Sequence, residues 1–152
     1  MSSGSTRFLL CSVRELRCAL PLEHVLETMR PLPVTSMAGM PSFVQGVAVV
    51  RGFPIPVVDA ALLFLGLASQ ATRFVTVKTG AHRLALAVDA VVGVVDLSLD
   101  TLAALPPLLR GARLEAVSTI GTLDADLLLV MRATRLVPEE VWTTLQAAGA
   151  LA

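Results

Sequence analysis

The chain has 152 residues, long enough to bury one sizeable core, and 55% of them are hydrophobic against only 16% charged. Twelve basic side chains balance twelve acidic ones, and no basic stretch is dense enough to follow a phosphate backbone, so nucleic acid is not an expected partner. A charged fraction below the roughly 25% of ordinary soluble domains predicts a partly apolar surface suited to lasting protein contacts.

Mean hydropathy is +0.75, which raises the question of membrane insertion. A spanning helix needs about 20 predominantly apolar residues with few breaks. The longest uncharged run, between Arg30 and Arg51, carries Pro31, Pro33 and Pro41 and cannot be one helix. Direct membrane insertion is therefore not expected. The opening MSSGSTRFLL has neither the basic start nor the long apolar stretch of a secretory signal, which predicts a cytoplasmic protein with reduced thiols at Cys11 and Cys18. Their spacing of seven, with no nearby His, matches no metal or redox motif, and both read as small buried hydrophobes.

Residues 1–6 read as a flexible N-terminus. Arg7 to Val13 and Arg17 to Leu20 are short apolar runs joined by Arg14, Glu15 and Leu16, the pattern of an opening hairpin. After Pro21, His24 to Arg30 fits a strand or a helical face by periodicity, with strand the preferred reading. Arg30 to Phe43, rich in Pro, Gly, Ser and Met, predicts an irregular connection over the surface. Val44 to Val50 and Phe53 to Val58 are strands broken by Arg51 and Gly52. Pro54 and Pro56 give the second of these an expected edge position or a bulge.

Asp59 should cap a short helix through Leu65, which Gly66 ends. Phe74 to Lys78 and Arg83 to Val88 flank Thr79, Gly80, Ala81 and His82 as a second hairpin. Val58-Asp59-Ala60 is echoed by Val88-Asp89-Ala90, hinting at two similar barrels, with capping the expected role of both Asp59 and Asp89. Pro106 to Arg113 reads as a loop. Two late strands, about Leu114 to Leu123 and Leu127 to Arg132, surround the turn Asp124-Ala125-Asp126. Pro138 to Ala148 predicts an amphipathic helix with proline at its first position, Glu139 and Glu140 in its first turn, and Trp142 as a packing anchor.

Nucleophilic catalysis needs a nucleophile, a base and an orienting group, and only His24 and His82 could supply an imidazole. Neither sits in a catalytic motif, and His82 beside a hairpin turn reads as solvent-exposed. No phosphate-loop, dinucleotide, zinc-protease or EF-hand pattern occurs, so no catalytic residue, metal ligand or cofactor is expected.

The run GVAVVRGFPIPVVDAALLFLG, Gly46 to Gly66, resembles the CheW family, whose hallmark is an apolar strand ending in Arg-Gly and a Pro-containing strand ending in Val-Asp. Cys18 to Pro31, Pro41 to Val44 and Arg83 to Leu97 extend the resemblance over about Arg7 to Val137. The resemblance implies a mainly β fold of two interleaved five-stranded SH3-like barrels with short helices, over residues 7–137, followed by a C-terminal helix over 138–152. It also implies a non-enzymatic adaptor at receptor clusters, joining a chemoreceptor's cytoplasmic tip to the regulatory domain of a CheA-type histidine kinase, or binding other CheW-like proteins. Arg51 is the implied receptor anchor, with Val25 and Glu27 beside it, and Ala60, Leu63, Phe64 and Thr72 mark the kinase-facing neighbourhood. The chain departs from the family where Val49 replaces a polar residue and where basic residues after Val-Asp are missing, which predicts altered kinase coupling. An accessory that binds receptors without recruiting kinase is the alternative, and a small-ligand-binding or enzymatic barrel the remote one.

Overall fold

The computed structural model describes residues 5–68, 70–98, 116–123 and 126–149, with backbone only for residues 5, 118–123 and 126. Strand β1 (Ser5–Val13) pairs antiparallel with β2 (Leu16–Pro21) around Arg14 and Glu15. Ser5 and Thr6 thus belong to a strand rather than to a flexible end, because the sheet continues to pair with them (Ser5 opposite Ser98). A single 3₁₀ turn, Leu22–His24, leads into β3 (Val25–Met29), so the ambiguous segment is a strand.

Among the described residues the Pro-rich connection makes one isolated bridge, Thr35 to Val47, and packs Leu32, Val34, Met37, Met40 and Phe43 on the cores. β4 (Val44–Val50) and β5 (Phe53–Asp59) follow, then helix α1 (Ala60–Leu65). Asp59 caps α1 by accepting the Leu62 N–H at 3.1 Å, and Gly66 ends it at φ 70°. β6 (Arg73–Thr79), β7 (His82–Val88) and β8 (Ala90–Ser98) come next. β9 (Val117–Leu123), β10 (Asp126–Met131) and helix α2 (Glu139–Ala147) complete the described chain. Pro138 stands at the cap of α2, one residue before the first helical position. The expected loop Pro106 to Arg113 and the turn residues Asp124 and Ala125 lie outside the described residues.

The strands form two five-stranded sheets, ordered β8-β1-β2-β10-β9 and β3-β6-β7-β5-β4. β3 to β7 are inserted between β2 and β8, so the two halves interleave. Each sheet joins two antiparallel hairpins through one parallel pair, β2 with β10 and β5 with β7, and adds one further strand beside the hairpin β1–β2 or β6–β7. Two similar barrels are therefore present. The Val-Asp-Ala echo does not mark them, because β5 corresponds to β10 in this topology and β7 to β2. Asp89 caps no helix, since β8 starts directly after it. Its carboxylate instead accepts the Arg14 N–H at 2.6 Å, tying the first hairpin to the second barrel.

β5 is an interior strand, not an edge. Its pairing with β7 covers only Val57 to Asp59, so Pro54 and Pro56, which lack N–H groups, lie where no ladder forms on that side.

The largest core cluster draws on both barrels: Leu9, Cys11, Val13 and Leu20 from one, Val58, Val75, Leu84 and Leu86 from the other, with Val141, Trp142 and Leu145 of α2. Ala48, Ile55, Val57 and Phe74 make a separate cluster in the second barrel, and Phe8, Leu10, Leu128 and Val130 one in the first. Strands buried on both faces must be apolar along their whole length, which absorbs much of the apolar composition. Cys11 and Cys18 face each other in the register, free and buried. Burial pushes the Cys11 thiol up to about 12 and raises Cys18 as well, so both stay protonated and unreactive.

Trp142 is 5% exposed and stacks on the His82 ring at 4.1 Å between centroids and 9° between planes. His82 is thus half-buried rather than free in solvent, because α2 folds back over the β6–β7 hairpin.

Candidate functional site: an arginine fork across the second barrel

β4 and β5 are joined by two residues, Arg51 and Gly52, with φ of 53° and 82°. Positive φ at both central positions is what a type I′ hairpin demands, and its twist matches the flanking strands. Glycine meets that demand without strain. Arginine does not, and a left-handed non-glycine residue costs on the order of 1–2 kcal/mol. Arg14, at φ 52°, takes the same conformation at the tip of the β1–β2 hairpin, so what sets Arg51 apart is not the strain but the partner it meets.

Facing it, β3 carries a bulge. Val25 pairs with Val77 and Glu27 with Thr76, so Leu26 is the extra residue and stands 47% exposed. The buried Thr76 hydroxyl holds the irregular backbone from both ends: it accepts the Glu27 N–H at 3.1 Å and donates to the Glu27 carbonyl at 3.2 Å.

The bulge aims the Glu27 carboxylate at Arg51. Arg51 Nε donates to Oε2 at 3.1 Å and Nη2 to Oε1 at 2.8 Å, a two-point fork. It links the outer strand β3 of the sheet to the hairpin at its opposite edge. The hydrogen bonds and charge of Arg51 hold the Glu27 carboxyl below its usual range, and Glu27 raises Arg51 in turn. A group whose pKa is lowered on folding stabilises above its unfolded value, and that contribution fades as pH falls through the folded one. NMR titration of the Glu27 carboxyl should accordingly show a midpoint below the ordinary 4.5, and Arg51→Met should return it towards that value.

The Arg51 side chain is 74% exposed and that of Glu27 31%. Nη1 has no partner among the described residues. Leu26 lines the cleft beneath the fork, and Phe53, 45% exposed, stands two residues after Arg51 under the Arg83 guanidinium that borders the same cleft. Val49, 64% exposed, points to the other face of β4 from the cleft-lining Val50. The cleft beneath, lined by Leu26, Glu27, Arg51, Ile55 and Arg83 among others, encloses about 20 Å³. That is room for a water and not for a substrate. A charged fork in an apolar frame over a shallow cleft has the composition of a protein-binding hot spot.

Of the three residues expected at this surface, the fold brings Arg51 and Glu27 into contact. Val25 stands two residues before Glu27 on β3, across the bulge, half-buried against the shared core and outside the cleft lining. In the kinase-facing group, only Thr72 is exposed, held by its N–H to the Val88 carbonyl at 3.1 Å and its hydroxyl to the Asp89 carbonyl. Ala60, Leu63 and Phe64 are corrected to core positions, at 0%, 3% and 5% exposure, because the apolar face of α1 packs inward. The exposed apolar residue of that neighbourhood is Leu67, at 56%.

Residues 7–141 match the family described as the CheW-like domain. The chain belongs to the CheW-like family. Protein FrzA of Myxococcus xanthus is 33% identical over 108 residues, which cover 68% of this chain and 66%, just under two thirds, of FrzA. The crystal structure of the scaffolding protein TtCheW from Thermoanaerobacter tengcongensis superposes with a TM-score of 0.71 at 23% identity, over 85% of this chain and 90% of TtCheW. The fold of this CheW-like chain is thus the expected pair of interleaved SH3-like barrels. Among its described residues, no helix is long and apolar enough to cross a membrane.

Proposed function

We propose that this CheW-like chain is a non-enzymatic scaffold of a cytoplasmic chemosensory array, seated on the cytoplasmic tip of a chemoreceptor through Arg51 and Glu27. The observation that carries the reading is the Arg51–Glu27 fork, an arginine presented in an apolar frame. Glu27 occupies one edge of the guanidinium and fixes its plane, while the outer edge faces solvent with donors for carboxylates or carbonyls of a receptor helix. Val25 supports β3 from behind rather than touching the partner.

Coupling to a CheA-type kinase is the second half of the proposal. Between Asp59 and Arg73 the chain has no charged side chain, and Ala60, Leu63 and Phe64 are inside. Docking at this end then rests on Leu67, Thr72 and backbone, with little charge to steer the encounter. The same observation favours, as a second reading, an accessory that occupies receptors or other CheW-like proteins without recruiting kinase.

Co-purification with a receptor-tip fragment and a kinase regulatory domain separates the two readings. The scaffold retains both fragments, whereas the accessory retains the receptor, or only another CheW-like protein, and loses the kinase; failure to retain the receptor contradicts the scaffold reading and the seat at Arg51 and Glu27. Where kinase binds, its affinity should change little with ionic strength. A steep salt dependence would show that charges elsewhere on the chain carry that contact.

A further inference from the structure

We propose that the groove between the β6–β7 hairpin and α2 docks an acidic segment of a partner protein, gripped by Arg83 and Lys78. The groove encloses about 560 Å³, within the usual range of roughly 300–1,000 Å³ for binding clefts. Its walls include Phe53, Lys78, His82, Arg83, Trp142 and Gln146, and among the described residues no carboxylate lines it.

Two independent observations point to an anionic occupant. Lys78 and Arg83 are directly opposite each other in the β6–β7 register, so their side chains leave the same face, and like charges in that relation destabilise a sheet. Neither has an ion-pair partner among the described residues. The fold thus maintains a repulsive pair that it does not neutralise, the kind of local conflict found at functional sites.

Separately, the Arg83 guanidinium lies 4.6 Å from the centre of the Phe53 ring. Stacking fixes its plane and leaves its N–H edges free to fork onto a carboxylate. A stacked nucleobase fits poorly here, since Trp142 is covered by His82 and one face of Phe53 by Arg83. A peptide with carboxylates for Arg83 and Lys78, and an aliphatic side chain for the exposed rim of Phe53, satisfies every wall. Arg83 and Ile55 also border the Arg51 cleft, so the two surfaces adjoin. This inference does not depend on the receptor reading, which rests on Arg51 and Glu27.

The test is fluorescence anisotropy of the full chain with a short fluorescein-labelled peptide of glutamates interspersed with leucines. It should bind, and the same peptide with lysines for glutamates should not. Lys78→Glu and Arg83→Met should each weaken binding by about tenfold or more, close to 1.4 kcal/mol, while Arg51→Glu leaves it intact. Lys78→Glu should also melt no lower than the parent, because it turns cross-strand repulsion into attraction, and Arg83→Met keeps an apolar stem on Phe53. Undiminished binding by the Lys78 and Arg83 variants, equal binding of the lysine peptide, or displacement of the peptide by ATP would overturn the proposal. A lower melting temperature for Lys78→Glu would overturn it too, by making Lys78 structural.

Discussion

Gly46→Ala should lower the stability of the chain by about 3 kcal/mol, read as a fall of roughly 10 °C in the midpoint of thermal unfolding. Gly46 sits at a bulge in β4 with φ of 145°, a conformation rarely open to other residues. A Cβ placed there would lie 2.0 Å from the Thr35 carbonyl oxygen and 2.7 Å from its carbon. Backbone atoms cannot swing aside as a flexible side chain could. Thr35 is also committed, donating to the Val47 carbonyl at 2.8 Å and accepting the Val47 N–H at 2.9 Å. Relieving the clash therefore breaks the one bridge that ties the Pro-rich connection to β4. Gly39→Ala is the matched control, since Gly39 has φ of 80° with nothing within 4 Å of the added atom. It should lose only the cost of backbone strain, about 1 kcal/mol. Equal effects of the two substitutions would show that the bridge contributes nothing.

That bridge bears on the proposed receptor site, because β4 leads straight into the Arg51 turn. Much of the local structure at that turn was readable from residue order. Arg-Gly between two apolar runs specifies a tight hairpin, Asp59 and Gly66 bracket a helix of the right length, and the alternation in Phe74 to Lys78 gives a strand with one wet side. These are short-range effects in which neighbouring residues determine backbone shape.

What stayed hidden depends on pairing between distant segments. The Arg51–Glu27 fork requires the bulge that makes Leu26 the extra residue, and that bulge is stabilised by Thr76, 49 positions from Glu27. Periodicity in β3 alone carries no sign of it. Likewise the six residues of α1 are too few for an apolar period to show which face is covered, so Ala60, Leu63 and Phe64 could be placed only once the shared core was seen. His82 does end the β6–β7 hairpin, but it reads as solvent-exposed because nothing local announces that Trp142, 60 positions later, stacks on it. One signal was available and missed: with the loop shortened to Gly80 and Ala81, the register sets Lys78 opposite Arg83.

Arg51→Glu should remove receptor binding, with a loss of about 2 kcal/mol or more, or roughly thirtyfold in affinity. The substitution places two carboxylates together where a fork stood, and reverses the charge offered to the partner. Stability should hardly change, because the Arg51 side chain is 74% exposed and ion pairs open to solvent contribute about 0–1 kcal/mol. Arg51→Lys should also bind less well than the parent, since an ammonium keeps the charge and loses the planar fork. The most informative variant is the exchange, Glu27→Arg with Arg51→Glu. It can restore an ion pair between β3 and the β4–β5 turn while leaving the outward group negative.

Calorimetric titration of a receptor-tip fragment into the parent, Arg51→Glu and the exchanged pair tests the central claim most directly. The expected result is saturable binding by the parent and none by either variant, all three melting within a few degrees of one another. Binding by the exchanged pair as tight as the parent's would contradict it, assigning Arg51 and Glu27 to closure of the barrel alone.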